Sequence, residues 1–339
     1  MKFWLRPKVI RCLKGVVVLK EFRLLEQRSV DDILFPLCLR MKESVSKEEF
    51  YTWAKTQGAE WRRLLLHHGA ILLRGCPVDE PQDFERLLDD AGFPRMPYVG
   101  GAAPRNAVTS RVLTSNESPP SEPIPFHHEM AQVPNPPAYI FFYCDLPPEE
   151  GGETPIVHSH QVYKRFVGID CDFAAKVERT GVRYIRIMPE EDDPSSAIGR
   201  SWKSTFLTDK KSVAEEKMRQ LGTTWTWLAD GNLRTETATV PAIRVEPRTQ
   251  RKTFFNSMVA AYTGWIDQRN DPTKSVTCGD GTPVDGDVLL KTGQAMLEEC
   301  VAFVWQKGDV LLIDNQLVLH SRRPFSGKRR ILASISPME

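Results

Sequence analysis

Short strand-like runs at 138 to 144, 182 to 188, 240 to 245, 252 to 256, 309 to 313 and 329 to 335 are separated by turn-rich insertions, not by regularly alternating helices. A doubly wound parallel sheet needs a crossover helix between most strand pairs, so that architecture is disfavoured. The pattern favours a β-rich α+β fold: a double-stranded β-helix (jelly-roll) core, surrounded by helices and carrying long active-site insertions. Helices are expected over 47 to 68, 81 to 91, 160 to 179, 211 to 221 and 285 to 300, with Gly58 interrupting or bending the first. Ala70 to Leu73 reads as a short buried strand. The stretch from 94 to 137 is rich in proline, glycine, serine and asparagine, and is too long for an inert connection in a compact domain. It is read as part of a site or a lid. No repeat or clear linker divides the chain, so residues 1 to 339 are treated as a single domain.

Lys and Arg number 45 against 44 Asp and Glu. That balance lacks the basic excess of a nucleic-acid binder. No apolar run reaches the roughly 18 to 20 residues needed to cross a bilayer, so stable membrane insertion is not expected. The cysteines at 12, 38, 76, 144, 171, 278 and 300 form no CxxC pair and no dense framework, and read as reduced thiols. The first twenty residues carry six basic groups and no acid. They admit a mitochondrial targeting segment or an early strand over Gly15 to Leu19. A cytoplasmic protein is the preferred reading.

Chemistry concentrates in Ile124-Pro-Phe-His127-His128-Glu129-Met130. On an extended backbone, residues two apart share a side, so His127 and Glu129 can converge while His128 points away. His320, which ends an apolar strand and turn, is the best third ligand. Two imidazoles and a carboxylate on one face of a metal suit iron(II) and leave other positions open. Ten residues on, the tail supplies Arg329 and Arg330 at the start of a strand. A guanidinium can grip a carboxylate through two parallel bonds, and strand alternation lets only one of the pair enter a pocket. His158 and His160 resemble half of a cupin motif, but the accompanying glutamate and second motif are missing. His67 and His68 suit a helix C-terminus.

With these residues in place, the chain resembles the taurine dioxygenase and clavaminate synthase-like family of iron(II)/2-oxoglutarate-dependent oxygenases, over about residues 35 to 336. The ordered segments LLLHHGAILLRG, PYVGGAAPR, TSNESPP, IPFHHEMAQ, FFYCDLPPEEGGETPIV, FFNSMVAAYTGW, GDVLLIDNQLVLHSRRPF and GKRRILAS carry the likeness. The resemblance implies a metal triad of His127, Glu129 and His320. It selects Arg330, with Arg329 as runner-up, and Thr154 for the distal carboxylate of 2-oxoglutarate. Asn256, in FFNS, is a candidate to contact substrate or to support the metal ligands, and Asn116 and Glu117, in the turn-rich segment, are candidate substrate contacts. An Asx turn is an equal reading for Asn116, and backbone satisfaction is the plain alternative for Asn256. Trp305 and Phe126 read as packing residues. Ser334 stands where the taurine dioxygenase pattern has a further arginine for an anionic substrate, which leaves the substrate's charge open.

The implied activity is iron(II)- and 2-oxoglutarate-dependent oxidation of an unactivated C–H bond, with release of succinate and carbon dioxide. Hydroxylation of a small polar molecule such as an amino acid derivative is expected, although the ligands do not decide between hydroxylation, desaturation and ring formation. Partners are then the small-molecule substrate and dioxygen, with a homo-oligomer allowed. The competing readings are a zinc hydrolase, for which HExxH is missing, and an inactive small-molecule-binding protein on the same scaffold.

Overall fold

A computed structural model describes residues 9–11, 18–41, 45–116 and 118–338. The proposed strand over Gly15 to Leu19 therefore lies largely outside the described residues, as does Glu117; Val18 and Leu19 begin a strand that runs to Glu21. The main sheet has eight strands, in the order Val9–Arg11, Val18–Glu21, Leu37–Met41, Ala70–Arg74, Val310–Asp314, Tyr139–Leu146, Arg330–Ser336 and Leu113–Thr114. All neighbours are antiparallel except Leu37–Met41 with Ala70–Arg74. Its central strands are buried at nearly every position, and mostly apolar, because both faces are covered. Tyr139, Phe141, Tyr143, Val310, Leu312 and Leu332 pack outward against the helices Lys47–Ala54, Gly58–His68 and Pro81–Asp90. Their alternates Ile140, Phe142, Leu311, Ile313, Ile331 and Ala333 pack inward. A strand with two buried faces reads as a continuous run, as these do.

The inward face shares its core with Ile156 and Val318 of a second, three-stranded sheet. That sheet is ordered Ile156–His158, Val318–Arg322, Ile124–His127. The chain thus passes from one sheet to the other through the short turn between Asp314 and Val318. A four-stranded sheet containing Val182–Met188 and the helices Ser159–Ile169 and Gly286–Glu299 lie around this smaller sheet and its neighbours. No helix among the described residues is long and apolar enough to cross a membrane. The result is a mixed β-sheet core with surrounding helices.

Two expected helices are each broken in two. The first divides at Gly58, where a Cβ would lie 2.4 Å from the Ala91 carbonyl oxygen, so glycine is needed for that approach. The second divides at Asp170, whose carboxylate accepts from Phe173 N at 2.8 Å and caps the following helix, Cys171–Thr180. The strand expected over 240 to 245 is reduced to an isolated Val240–Val182 bridge and a strand at Arg244–Glu246, since Pro241 has no N–H to donate. The strand expected to 256 ends at Thr253.

His158 sits at the junction of the small sheet and the Ser159–Ile169 helix, buried against the edge of Phe35. Burial, with His160 nearby, pushes its imidazole down to about 4. Unfolded histidine titrates near 6.5. Between those values the unfolded chain takes up a proton that the folded chain refuses, so stability falls as pH falls, by roughly 3 kcal/mol at most. Urea unfolding from pH 7 to 4.5 should show this slope, and His158→Gln should reduce it. An unchanged slope in the variant contradicts the assignment.

Candidate metal centre

His127 and His320 are direct cross-strand partners, with ring centroids 4.3 Å apart. Strand pairing thus brings together two histidines nearly two hundred positions apart in the chain. After His127 the chain leaves the strand and turns through Met130, which has a φ of 54°. Asn315 fixes that turn: its Oδ1 accepts from Glu129 N at 2.8 Å, and its Nδ2 donates to Glu129 O at 3.0 Å and Pro137 O at 2.8 Å. The Glu129 carboxylate is thereby held with Oε2 3.6 Å from His320 Nε2. Donor atoms of His127, Glu129 and His320 all lie within 4.8 Å of one another, the one such cluster among the described residues. His128 turns its ring elsewhere, with Nδ1 2.6 Å from Asn315 O and Nε2 2.9 Å from Ser159 Oγ. Asn315→Ala should keep the fold and weaken Mn(II) binding by about 10- to 100-fold, as expected for a residue that orients a ligand; direct metal titration measures it.

His127 and Glu129 are in the state a divalent cation requires. His127 Nδ1 lies 2.8 Å from Pro125 O, and because a carbonyl can only accept, Nδ1 carries the hydrogen and Nε2 keeps its lone pair. Burial, together with His320, lowers the His127 pKa to about 4, so the ring is neutral near pH 7. Burial alone would raise the Glu129 pKa, but Arg105 and then the two histidines outweigh it and hold the carboxyl well below the usual carboxylate range. At 3.6 Å the Glu129–His320 approach is too long for a hydrogen bond, and buried His320 Nδ1 has no partner among the described residues. The His127 lone pair, the ionised Glu129 oxygen and the His320 imidazole facing one point fit iron(II).

The triad opens on a cavity of about 370 Å³. The segment from 98 to 132 supplies much of its wall, as expected of the long insertion. The expected anchor Arg330 does not reach it: its side chain is exposed, with Nη1 2.7 Å from Asp145 Oδ2. A register shift beside Arg330 sets the phase of this strand. Arg329, on the opposite face, lines the cavity, and its Nε donates to Gly152 O at 3.0 Å. The Nη1 and Nη2 end of Arg329 makes no bond among the described residues. Burial, then the charge of Arg322, pulls its pKa well below the ordinary value. An arginine stays charged in practice, so that penalty amounts to a demand for an anion. Thr154, also in the wall, accepts from Trp305 Nε1 at 3.2 Å, which leaves its hydroxyl hydrogen free to donate. Trp305 therefore orients Thr154 as well as packing.

Asn116 lines the cavity while its Oδ1 accepts from Ser118 N at 2.9 Å, which forms the Asx turn. Asn256 is a different case. Its Nδ2 donates to Ala242 O and its Oδ1 accepts from Met258 N, both at 2.9 Å. Its amide is committed to backbone groups, which corrects the expectation of a substrate contact. Ser334 accepts from Arg111 Nε at 3.1 Å and is buried on the other face of its strand. The six free cysteines among the described residues are all buried except Cys171.

Three residues at the site stand inside the family-like segments, but the sequence assigns them no role. Asn315 sits in an ordinary-looking turn. Arg322 donates to the carbonyls of Asn116, Ser118, Pro119 and Glu122 and so latches that loop. Arg105 donates through Nη2 to Glu129 Oε2 at 2.9 Å. Nothing in a proline- and glycine-rich stretch singles out one arginine.

The model of the taurine catabolism dioxygenase TauD, TfdA family matches residues 35–335. The chain belongs to that family. Within reach of this TauD, TfdA-family chain, a clavaminate synthase-like protein of Arabidopsis thaliana is 53% identical over 281 residues, covering 83% of this chain and 85% of the relative. The dapdiamide synthesis protein DdaC of Enterobacter agglomerans is 29% identical over 290 residues, covering 81% and 84%. Among solved structures, PvcB of Pseudomonas aeruginosa aligns with a TM-score of 0.55 at 16% identity, over 100% of this chain and 95% of that one. At such identity the likeness shows a shared fold. With the His-Glu-His cluster, family membership makes this protein a non-haem iron(II)- and 2-oxoglutarate-dependent dioxygenase acting on a small substrate.

Proposed function

We propose that the enzyme hydroxylates an unactivated C–H bond of a small polar molecule such as an amino acid derivative. Substrate, 2-oxoglutarate and dioxygen become hydroxylated product, succinate and carbon dioxide. The observation that carries this reading is the ligand cluster at one part of a cavity whose wall also holds the unbonded end of Arg329. His127, Glu129 and His320 hold the iron, which when bound supplies the redox chemistry that couples dioxygen to decarboxylation of the keto acid. Arg329 and Thr154 bind the distal carboxylate of 2-oxoglutarate through charge-assisted hydrogen bonds. Arg105 keeps Glu129 ionised. The walls orient the target C–H group and limit water, which is the protein's share of such chemistry.

In this reading the eight- and three-stranded sheets are the two walls of a jelly roll within a single oxygenase domain. Support comes from their shared core and from consecutive strands that alternate between them. Buried free thiols at Cys38, Cys76 and Cys144 and a ferrous centre suit the reducing cytoplasm.

The test is incubation with iron(II), 2-oxoglutarate and a panel of amino acid derivatives under labelled dioxygen. Succinate formation with one labelled oxygen atom in the organic product is expected. Succinate without any labelled hydroxyl product, or only metal-dependent hydrolysis, contradicts the proposal.

A further inference from the structure

On the strand Val182–Met188 every second residue is buried, and the buried set is Val182, Tyr184, Arg186 and Met188. Alternation thus puts a guanidinium where the pattern calls for an apolar side chain. Arg186 is 6% exposed and forms no ion pair among the described residues. Its Nη2 donates to Arg200 O at 3.2 Å and to Thr205 Oγ1 at 3.1 Å. Its Nε and Nη1 make no hydrogen bond among the described residues, and neither is sealed from solvent. Asp267, whose charge it feels, is bonded by Arg269 at 2.7 Å. Burial, then the charge of Arg200, pushes the Arg186 guanidinium down to about 9. Other buried arginines are compensated differently. Arg200 and Arg322 spend both terminal nitrogens on carbonyls. Arg105 is paired with Glu129, and its unpartnered nitrogens are sealed.

Arg186 opens on a second cavity, of about 50 Å³, which it shares with no Asp or Glu. Tyr184 in its wall stays neutral, because burial pushes the phenol up. Thr205, Thr223 and Thr237 also line it. Thr205 accepts from Arg186, and Thr237 accepts from Tyr184 N at 3.0 Å, which leaves both hydroxyl hydrogens free to donate. A buried cation without a counter-charge is strongly disfavoured, and the unspent donors add a demand for acceptors. A single water needs roughly 10 to 15 Å³, so the space admits an ion of a few heavy atoms and no larger metabolite.

We propose that this second cavity binds a small monovalent anion of the size of chloride, held by Arg186 and the threonine hydroxyls. The ion takes no part in the reaction. Its surroundings are nevertheless tied to the insertion that walls the metal centre. Gly100 N donates to Thr205 O at 3.1 Å, and Gln132 Nε2 donates to Gly100 O at 3.2 Å. Gln132 and Trp265 line both cavities. The bound anion therefore braces three elements against one another: the Gly100 loop, the helix Trp202–Phe206 and the strand Val182–Met188.

The test is thermal unfolding of the full chain in chloride or bromide against gluconate, an anion too bulky for the cavity, at equal ionic strength. Runs are made metal-free and again with Mn(II) and 2-oxoglutarate. Chloride and bromide should raise the midpoint with a saturable dependence on concentration, as binding to the folded state requires. Arg186→Met should weaken that affinity by at least about tenfold, the loss expected for one hydrogen bond to a charged group. Crystals soaked in bromide should show an anomalous peak beside Arg186 Nε or Nη1. No saturable stabilisation and no bromide at Arg186 overturn the proposal and leave a water-filled cavity. Stabilisation that is unchanged in Arg186→Met also overturns it, since the anion then acts elsewhere, such as at the unbonded end of Arg329. A bromide peak at Arg186 without any stabilisation marks an adventitious ion only, and likewise overturns it. If Arg186→Met does not fold, the wild-type titration and the bromide position together decide.

Discussion

His320→Ala and His127→Ala should each abolish 2-oxoglutarate turnover while leaving the protein folded. Loss of a residue that only orients a ligand costs roughly 10- to 100-fold, and loss of a ligand itself must exceed that. The structural cost is small by comparison. His320 has a buried Nδ1 with no partner among the described residues, and its ring borders an existing cavity, so truncation breaks no hydrogen bond at that atom. His127 gives up its contact to Pro125 O, worth about 1 kcal/mol. Succinate release and urea unfolding, measured on the same preparations, separate the two effects. Near-normal turnover in either variant rules out the ligand set.

The second large effect is expected at Arg329 and not at its neighbour. Arg329→Ala should raise the KM for 2-oxoglutarate by roughly 30- to 4,000-fold, the equivalent of about 2 to 5 kcal/mol for removing one partner of a buried charge pair. Arg330→Ala removes a bridge to Asp145 whose arginine side chain is 46% exposed. Such a pair contributes about 0 to 1 kcal/mol to stability and nothing to the cavity. Its KM should stay within about twofold of the wild type. Steady-state kinetics with varied 2-oxoglutarate distinguish the two, and a large KM change in Arg330→Ala with none in Arg329→Ala would reverse the assignment.

The choice between these two arginines marks how far sequence can be read here. Alternation on a strand says that one of two adjacent residues enters a pocket, but it sets no absolute phase, and the register shift beside Arg330 lies at the point where phase matters. The metal pair was more legible. His127 ends a short strand and Glu129 lies in the turn that follows, so the two converge as expected but through a turn that Asn315 fixes, and the continuous apolar runs at 138 to 144 and 310 to 313 declare a sheet buried on both faces. Pairing of His127 with His320 depends on a long-range register that local pattern does not encode, so His320 can be offered as third ligand from its place after an apolar strand and turn but not set opposite His127. Helix breaks at Gly58 and Asp170 depend on a carbonyl approach and a cap within otherwise helical periodicity. Asn256 and Asn315 show the same limit from opposite sides. Both are buried amides, yet one is committed to its own backbone surroundings and the other fixes a metal ligand, and only their hydrogen-bond partners tell them apart.

The most direct measurement is anomalous diffraction at the iron edge from crystals grown without oxygen in iron(II) and 2-oxoglutarate. One peak bonded to His127 Nε2, a Glu129 oxygen and His320 is expected, with the keto acid chelating the same ion and its far carboxylate on Arg329. A peak elsewhere, or an ion whose remaining positions are filled by protein atoms, would contradict the account.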